Sequence, residues 1–225
     1  PTVKEGNSGE TQLVFTVSIT APIKQTCSVD YKTADGTAKV ATNDYQATSG
    51  TVVFAPNNGD PKTFTVVIHG DTAREPDETV LVNLSGPVNA KIVKAQGKGT
   101  IQNDDPRPGI SISNVTVNEP NAGATVMASF VVKLSAPSHE AITVNYQTAD
   151  DSATAPGDYS SASGKLTFTP GTTAAPLNVT VKGDSASENN ETFIVKLNTP
   201  LTATLADDTG SCITQGDTPP VREGE

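Results

Sequence analysis

Tryptophan is absent from this sequence, and aromatic residues make up only 4% of its 225 residues. Paired carboxylates could suggest a glycosidase, but that chemistry needs a substrate cleft, usually lined by aromatic rings, and few are available here. The two histidines, His69 and His139, do not stand in a motif with a nucleophile or a second base. The sequence therefore predicts that the chain is not an enzyme.

Positive charge is also scarce. Lys and Arg number 15 against 25 Asp and Glu, which gives a formal net charge of −10. A nucleic-acid partner would need a basic surface to replace the phosphate counterions, so none is expected. No signal peptide or transmembrane run is visible, and direct membrane insertion is not expected either. The first residues, 1–10, read as the middle of a domain, so we expect the chain to be a piece of a longer protein.

The sequence contains an internal repeat. Residues 31–45 (YKTADGTAKVATNDY) return as 146–159 (YQTADDSATAPGDY), and 49–56 (SGTVVFAP) return as 163–170 (SGKLTFTP). Residues 12–22 and 69–87 also have clear counterparts in the second half. Two copies of a unit of roughly 110 residues follow, which is a usual domain size.

Within each copy, apolar residues alternate with polar ones. Leu13, Phe15, Val17 and Ile19 show this pattern, and the matching positions of the second copy repeat it. Such alternation is typical of antiparallel strands that cover a core with one face. The sequence therefore predicts an all-β chain: two tandem immunoglobulin-like antiparallel β-sandwich domains of about seven strands each, arranged end to end.

The domain boundaries follow from the repeat. We expect a first domain at 1–105, with its first strand truncated, because it lacks most of the segment ISISNVTV found at 110–117. A short linker at 106–109 is stiffened by two prolines. The second domain spans 110–218, and a polar tail occupies 219–225.

The chain has only two cysteines, Cys27 and Cys212, in different copies, so no disulfide is expected within a domain. Cys27 aligns with Ile142 and is predicted to be a small buried hydrophobe. Cys212 aligns with Thr100 and is predicted to face outward. Tyr45 and Tyr159 are predicted to pack in the core, and Asp44 and Asp158 to form local turns.

Acidic residues concentrate at one end of the first predicted sandwich. Because successive strands alternate in direction, alternate loops lie at the same end, and the loops at the other end carry only Asp60. The acids that collect at this end are Glu5, Asp35, Asp71, Glu75, Glu78, Asp104 and Asp105. Clustered carboxylates repel one another, and a calcium ion relieves this because it takes roughly six to eight oxygen ligands. Zinc or copper would favour His or Cys ligands instead.

Four motifs resemble the Calx-beta domain: TADGTA…NDY at 33–45, SGTVVFAP at 49–56, GDxxxExxET at 70–79 and GTIQNDD at 99–105. That module occurs in sodium/calcium exchangers, an integrin subunit and bacterial surface proteins. The resemblance covers nearly all of both copies. It implies that the same acids are calcium ligands, with Glu78 auxiliary and the Ala73 carbonyl as a backbone ligand. Gly70 departs from members that carry an acid there, which implies fewer ions or weaker binding.

The resemblance carries a ligand set over to the second copy as well. Its members are Glu119, Asp150, Asp184, Glu188 and Glu191, with Asp151 in place of Gly36. The last strand ends TQGD, which aligns Gly216 with Asp104 and leaves Asp217 as the remaining acid. Some family members bind no calcium, so binding by the second copy stays open at this point.

The function expected from the sequence is a calcium-binding interaction or spacer module of a larger extracellular or cell-surface protein. Asp104 and Asp105 directly precede the linker, so calcium is expected to stabilise the loops and stiffen the interdomain joint. Expected partners are calcium ions, neighbouring domains of the same chain and, in adhesion, another protein or a cell-surface ligand. Two alternatives remain: a calcium-independent adhesive or structural repeat, and a cytosolic calcium-sensor region of a membrane transporter.

Overall fold

The computed structural model describes residues 1–21 and 23–216. The chain divides into two compact units, of which the first ends at Asp105 and the second begins at Pro106. Within the described residues, the one helical element is a short 3-10 turn at Val40–Thr42. No helix in this part of the chain is long and apolar enough to cross a bilayer.

The first unit is a sandwich of two sheets. A five-stranded sheet has the order β1-β7-β6-β3-β4, and a two-stranded sheet pairs β2 with β5. All pairings are antiparallel except that of β1 with β7, which is parallel. The strands are Thr2–Lys4 (β1), Gly9–Val17 (β2), Cys27–Asp35 (β3), Ser49–Phe54 (β4), Lys62–Gly70 (β5), Glu78–Val88 (β6) and Gln96–Gln102 (β7).

The second unit repeats this plan with more strands. Its five-stranded sheet has the order β12-β11-β14-β16-β9, and its four-stranded sheet has the order β13-β10-β8-β15. The strands are Gly109–Ile112 (β8), Val115–Asn118 (β9), Thr125–Leu134 (β10), Ile142–Asp150 (β11), Ser163–Phe168 (β12), Ala174–Lys182 (β13), Glu191–Leu201 (β14), Thr204–Leu205 (β15) and Thr209–Gln215 (β16). The prediction of two all-β sandwiches is confirmed.

The alternation in the sequence sets the faces of the strands. In β2, Leu13 and Phe15 are buried whereas Val14 and Thr16 between them are exposed. Successive side chains of a strand point to opposite faces, so one face of β2 supplies the core. Tyr45 and Tyr159 are also buried, as predicted.

The cores of the two units differ in continuity. In the second unit the buried residues form one cluster, which includes Ile110 and Ile112 of β8. In the first unit they form two clusters, one around Leu13 and Val66 and another around Cys27. The first unit has no strand equivalent to β8 among its described residues.

The cysteine predictions had different outcomes. Cys27 is buried, as predicted. The prediction for Cys212 is wrong, because its side chain is 0% exposed. Val80 of β6 and Phe193 of β14 are matching residues of the two copies. Phe193 pairs with Cys212 and Val80 pairs with Gly99, so the counterpart of Cys212 is Gly99. A one-residue error in alignment moves a side chain to the other face of a strand. Burial raises the pKa of Cys212 to about 11.

Candidate metal centre

Two chain segments of the first unit meet because β1 and β7 run parallel. The Glu5 backbone N–H donates to the Gln102 carbonyl at 3.1 Å, continuing the pairing past the end of β1. The Gly6 N–H then donates to Asp104 Oδ1 at 3.0 Å. Glu5 is thereby held beside the acidic segment that follows β7.

The loop between β5 and β6 closes over the same place. The Glu75 N–H donates to Asn103 Oδ1 at 3.0 Å, and Asn103 Nδ2 donates to the Asp105 carbonyl at 3.2 Å. At the start of the loop, Asp71 Oδ1 accepts from the Ala73 N–H at 2.6 Å. Asn103 thus fixes the loop to the end of β7. Sequence reasoning missed this residue, since an uncharged amide gave no signal of a site.

Three carboxylates are buried at this junction. Glu5 is 3% exposed, Glu75 is 5% exposed and Asp105 is 6% exposed. Glu5 Oε1 and both side-chain oxygens of Asp105 are enclosed and have no hydrogen-bond partner. Burying a polar or charged group without a partner is unfavourable, so these oxygens are suited to a bound cation or a proton.

The electrostatics of the junction support this conclusion. Burial raises the pKa of Glu5 to about 9, with further contributions from a hydrogen bond to Glu75 and from the charges of Glu75, Asp105 and Asp71. Burial also raises the pKa of Asp105, as do the charges of Asp71, Asp104 and Glu75. The structure therefore brings Glu5, Asp71, Glu75, Asp104 and Asp105 together, and without a cation they resist full ionisation.

A second group of carboxylates shares Glu75 with the first. Oxygens of Asp44, Glu75 and Glu78 lie within 4.8 Å of one another. Asp44 also forms the predicted turn, since its Oδ2 accepts from the Lys39 N–H and the Thr42 hydroxyl, each at 2.7 Å. Its place beside the two glutamates was not predicted. The only signal available from sequence was its recurrence as Asp158.

Asp35 stands at the side of this second group. Its Oδ1 accepts from the Tyr45 hydroxyl at 2.7 Å and from the Val40 N–H at 3.2 Å. Burial raises the pKa of Tyr45 to about 12, and the hydrogen bond to Asp35 adds to the shift. Asp35 is itself exposed and is oriented by the buried tyrosine.

The second unit has a similar but more open arrangement. Oxygens of Asp158, Glu188 and Glu191 lie within 4.8 Å of one another. The Asp184 N–H donates to Glu119 Oε1 at 3.3 Å, which joins the loop after β13 to the segment after β9. Burial raises the pKa of Glu191, assisted by the charges of Asp158 and Glu188.

Two carboxylates of the second unit lie to the side of this group. Asp150 accepts from the Tyr159 hydroxyl and from the Ala155 N–H, and these bonds lower its pKa. Asp151 is exposed and lies outside the acidic groups found among the described residues. Those residues also contain no buried, unpartnered carboxylate oxygen in this unit. The burial that marks the first site is therefore not repeated.

The pairing of β14 with β16 corrects the predicted alignment of the last strand. Glu78 and Glu191 are matching residues, and they pair with Ile101 and Thr214, which therefore also match. Two residues further along, Gly216 is the counterpart of Asn103 and not of Asp104. Asp217 lies outside the described residues. By sequence count it aligns with Asp104, and Thr218 takes the position of Asp105. The second copy thus lacks the acid that is most deeply buried after β7.

Close backbone contact explains the glycine at position 70. A Cβ on Gly70 would lie 2.0 Å from the Gly6 carbonyl oxygen and 2.7 Å from that of Glu5. The equivalent Gly183 would meet the Pro120 carbonyl at 1.7 Å. An acid at either position is incompatible with this backbone, so the first carboxylate of each loop is Asp71 or Asp184.

A model of the Calx-beta domain family matches residues 2–105 and again residues 102–215. The chain belongs to the Calx-beta family. Both copies match, and the motifs that suggested the family lie on the loops and strands that carry the acidic groups. Curated proteins gave no match to the chain.

Solved structures of CALX domains resemble the chain at low identity. CBD12 from CALX1.2 is 20% identical with a TM-score of 0.44, and the match covers 95% of this chain and 96% of that one. The calcium binding domain CBD12 of CALX1.1 is 23% identical with a TM-score of 0.43, covering 92% and 79%. The apo-form Calx CBD1 domain is 22% identical with a TM-score of 0.41, covering 48% and 98%. Membership of the family rests on the family match alone.

Proposed function

We propose that the first unit binds calcium through the acids that surround Glu5 and Asp105, and that the chain is a calcium-binding interaction or spacer module and not an enzyme. The observation that carries the proposal is the burial of Glu5 Oε1 and both Asp105 oxygens without a partner. A cation supplies the missing partner and offsets the mutual repulsion of the carboxylates.

The donor set fits calcium better than the other common metals. The oxygen donors that converge at the junction are carboxylates and the Asn103 amide, and hard oxygen ligands suit calcium. Six or more oxygens are within the capacity of Glu5, Asp71, Glu75, Asp104 and Asp105. Zinc would call for His or Cys, which the acidic groups of the described residues do not contain.

The second group offers a place for another ion. Asp44 and Glu78 contribute oxygens to it, with Glu75 shared between the two positions, and we assign Asp35, which accepts from the Tyr45 hydroxyl, to the same position. The proposed ligands are thus those expected from the sequence, with Asp44 added. The Ala73 carbonyl keeps its proposed role, supported by the burial of Ala73 within the same loop.

For the second unit we propose weaker binding by Glu119, Asp184, Glu188 and Glu191, together with Asp158. Asp150 is oriented by Tyr159 as Asp35 is by Tyr45, which supports a peripheral role for it. Asp151 is not supported by the geometry. Fewer buried acids mean less repulsion to relieve, so the gain on binding an ion is smaller.

The proposed setting is extracellular or at the cell surface. Gly70 and Gly183 exclude an additional acid from each loop, which supports weak affinity. Dissociation constants of about 0.1–1 mM suit extracellular modules, whereas cytosolic sensors respond near micromolar calcium. A dissociation constant in the micromolar range would instead favour the sensor alternative. That calcium also stiffens the joint at 106–109 stays a prediction, which small-angle scattering with and without calcium tests.

Calorimetric titration of the full chain with calcium tests the proposal. The unmodified chain should give a saturable isotherm, and Asp105→Asn should weaken its tightest component at least tenfold. The matched control is Asp60→Asn, which removes an exposed acid from a loop at the opposite end of the unit. Equal isotherms for Asp105→Asn and Asp60→Asn would refute the proposal.

A further inference from the structure

The loop between β4 and β5 of the first unit, residues 55–61 (APNNGDP), contains an asparagine directly before a glycine. Asn58 is the one asparagine of the whole sequence that a glycine follows. The side-chain amide carbon of an asparagine is an electrophile, and the backbone nitrogen of the next residue lies within reach of it. Glycine leaves that nitrogen without steric cover, because it has no Cβ.

This loop lies at the end of the first unit that is opposite to the buried acids. Phe54 at the end of β4 pairs with Cys27 at the start of β3, whereas Asp35 stands at the other end of β3. Solvent reaches the loop, since Gly59 is exposed and Asn58 is only half-buried. The chemistry of this loop is therefore independent of the proposed calcium site.

The structure holds the two groups that would react on one tight turn. Asn58 Oδ1 accepts from the Asp60 N–H at 2.8 Å, so the side chain is folded back over its own main chain. The ring that this hydrogen bond closes contains both Asn58 Cγ and the Gly59 nitrogen. Donation of a hydrogen bond to Oδ1 also polarises the amide carbonyl, which makes Cγ more electrophilic.

The hydrogen bonds of the turn leave the Gly59 nitrogen available. The Asn57 N–H donates to the Ile23 carbonyl at 2.8 Å, which ties the loop to the segment before β3. The Asn58 N–H donates to the Ala55 carbonyl at 3.1 Å. Among the described residues, the Gly59 N–H has no acceptor of this kind, and the space around Gly59 is open.

The second unit lacks this arrangement in the equivalent loop. Residues 169–173 (TPGTT) join β12 to β13 and contain no asparagine. Their turn is closed by the Thr172 N–H, which donates to the Thr169 carbonyl at 3.0 Å. The second copy therefore offers an internal comparison for the chemistry of the first.

We propose that Asn58 is a self-modification site, at which the Gly59 nitrogen attacks the Asn58 side chain and closes a succinimide ring. The Gly59 N–H gives its proton to solvent, and its nitrogen forms a bond to Asn58 Cγ. The Cγ–Nδ2 bond then breaks, and Nδ2 takes up a proton and leaves as ammonia. The step changes no oxidation state, so it requires neither an oxidant nor a reductant.

Water completes the reaction by adding to one of the two ring carbonyls. Addition at Cγ breaks the new bond and leaves an aspartate in the original main chain. Addition at the main-chain carbonyl leaves an isoaspartate, whose main chain is longer by one methylene. Either product places a new carboxylate beside Asp60 and lowers the formal net charge by one unit from −10. The first unit is thus irreversibly altered at this loop, and the second is not.

Peptide mapping of the full chain by mass spectrometry, after prolonged incubation in mildly alkaline buffer, tests the proposal. Conversion at Asn58 should be at least about tenfold faster than at Asn121, an exposed asparagine followed by alanine, and should give both aspartate and isoaspartate.

The matched control is Gly59→Ala, whose new Cβ would meet only Ile19 Cγ2 at 3.9 Å, so the loop keeps its shape. Conversion at Asn58 should slow at least about tenfold in this variant, because the methyl group hinders ring closure. Circular dichroism during the incubation checks that both chains stay folded.

Four outcomes would overturn the proposal. Asn58 could stay intact in the folded chain, or it could convert equally fast in the Gly59→Ala variant. Aspartate could be the sole product, which would show direct hydrolysis of the amide without a ring. Conversion could also occur only after urea unfolds the chain, which would show that the turn opposes ring closure.

Discussion

At the scale of single residues, Glu5 and Asp105 determine the chemistry of the first unit. Both are enclosed, and neither has enough hydrogen-bond donors to balance a negative charge. Most acidic residues on a protein surface are exposed, and their ionisation carries no desolvation penalty. The burial of Glu5 and Asp105 distinguishes this end of the unit from such a surface. Under the proposed function, calcium and protons compete for the same oxygens.

Stability without calcium should fall as the pH rises. The pKa of Glu5 is about 9 in the folded chain against an ordinary value of 4.5. Between these values the folded state holds a proton that the unfolded state has lost, so the free energy of unfolding decreases with pH. The slope is up to about 1.4 kcal/mol per pH unit for one proton. Urea unfolding in the presence of a calcium chelator, at about pH 5, 7 and 8.5, measures this dependence of stability on pH.

Glu5→Gln should remove most of that slope, because the amide does not titrate. The matched control is Glu10→Gln, which alters an exposed acid on β2 and should leave the slope in place. If the Glu5→Gln chain and the Glu10→Gln chain show the same pH dependence, Glu5 is not the titrating group.

The hydroxyls of Tyr45 and Tyr159 should each contribute a measurable hydrogen bond. Tyr45 donates to Asp35 and Tyr159 to Asp150, and both rings are buried. Tyr45→Phe keeps the ring but removes the bond, and we expect a loss of about 1 kcal/mol in the free energy of unfolding. Tyr159→Phe should behave alike in the second unit. Hydrogen exchange at increasing denaturant concentration measures the stability of each unit separately. Unchanged stability in both variants would contradict the two hydrogen bonds.

At the scale of strands and loops, the glycine that ends β5 limits the number of carboxylates at this place. The backbone at Gly70 packs directly on the carbonyls of Glu5 and Gly6. This contact brings the end of β5 against the segment after β1 and leaves no room for a side chain. The family's additional acid is thus excluded by packing and not by chemistry.

Gly70→Ala should destabilise the first unit by about 1–3 kcal/mol, because the new Cβ forces the backbone of Gly6 to move. Calcium affinity should fall with it, since Glu5 is carried on the same segment. Gly59→Ala serves as the control, as its Cβ would meet only Ile19 Cγ2 at 3.9 Å. Denaturant unfolding of the two variants gives the comparison, and equal stability would show that the close packing at Gly70 is wrong.

The strands were predictable because their apolar residues alternate strictly. Leu13 and Phe15 gave the buried face of β2 from sequence alone, and the direction of successive strands gave the convergence of Glu5 with Asp105. Cys212 was misplaced because the alignment assumed that one residue is lost before β16, whereas Val80 with Phe193 and Gly99 with Cys212 keep the same spacing. A shift of one residue reverses the face of a side chain, since a strand has a period of two. The cradle formed by Asn103 could not be predicted, since it depends on one amide reaching two backbone groups across a turn.

At the scale of the whole molecule, the two units have the same fold but unequal sites. The first unit buries three of its acids, Glu5, Glu75 and Asp105, and its core forms two clusters, whereas the second has one core cluster and acids that are at most partly buried. The burial of carboxylates without partners lowers the stability of the first unit. The difference in burial between the two sites is not visible in the sequence repeat, because the burial of each acid depends on the loops around it.

Calcium should therefore stabilise the first unit more than the second. A ligand that binds only the folded state adds RT ln(1 + [L]/Kd), or about 1.4 kcal/mol at ten times the dissociation constant. Hydrogen exchange of peptides from each unit, with calcium or chelator, separates the two responses. Magnesium at the same concentration should have less effect, because it requires a tighter octahedral site. Equal protection of both units by calcium would contradict the ranking.

The most direct test is an anomalous difference map from crystals grown in calcium. We predict a strong peak in contact with the carboxylates of Glu5, Glu75 and Asp105. If ample calcium leaves no peak there, and these side chains contact only water or one another, the assignment of the first unit as a calcium site is wrong.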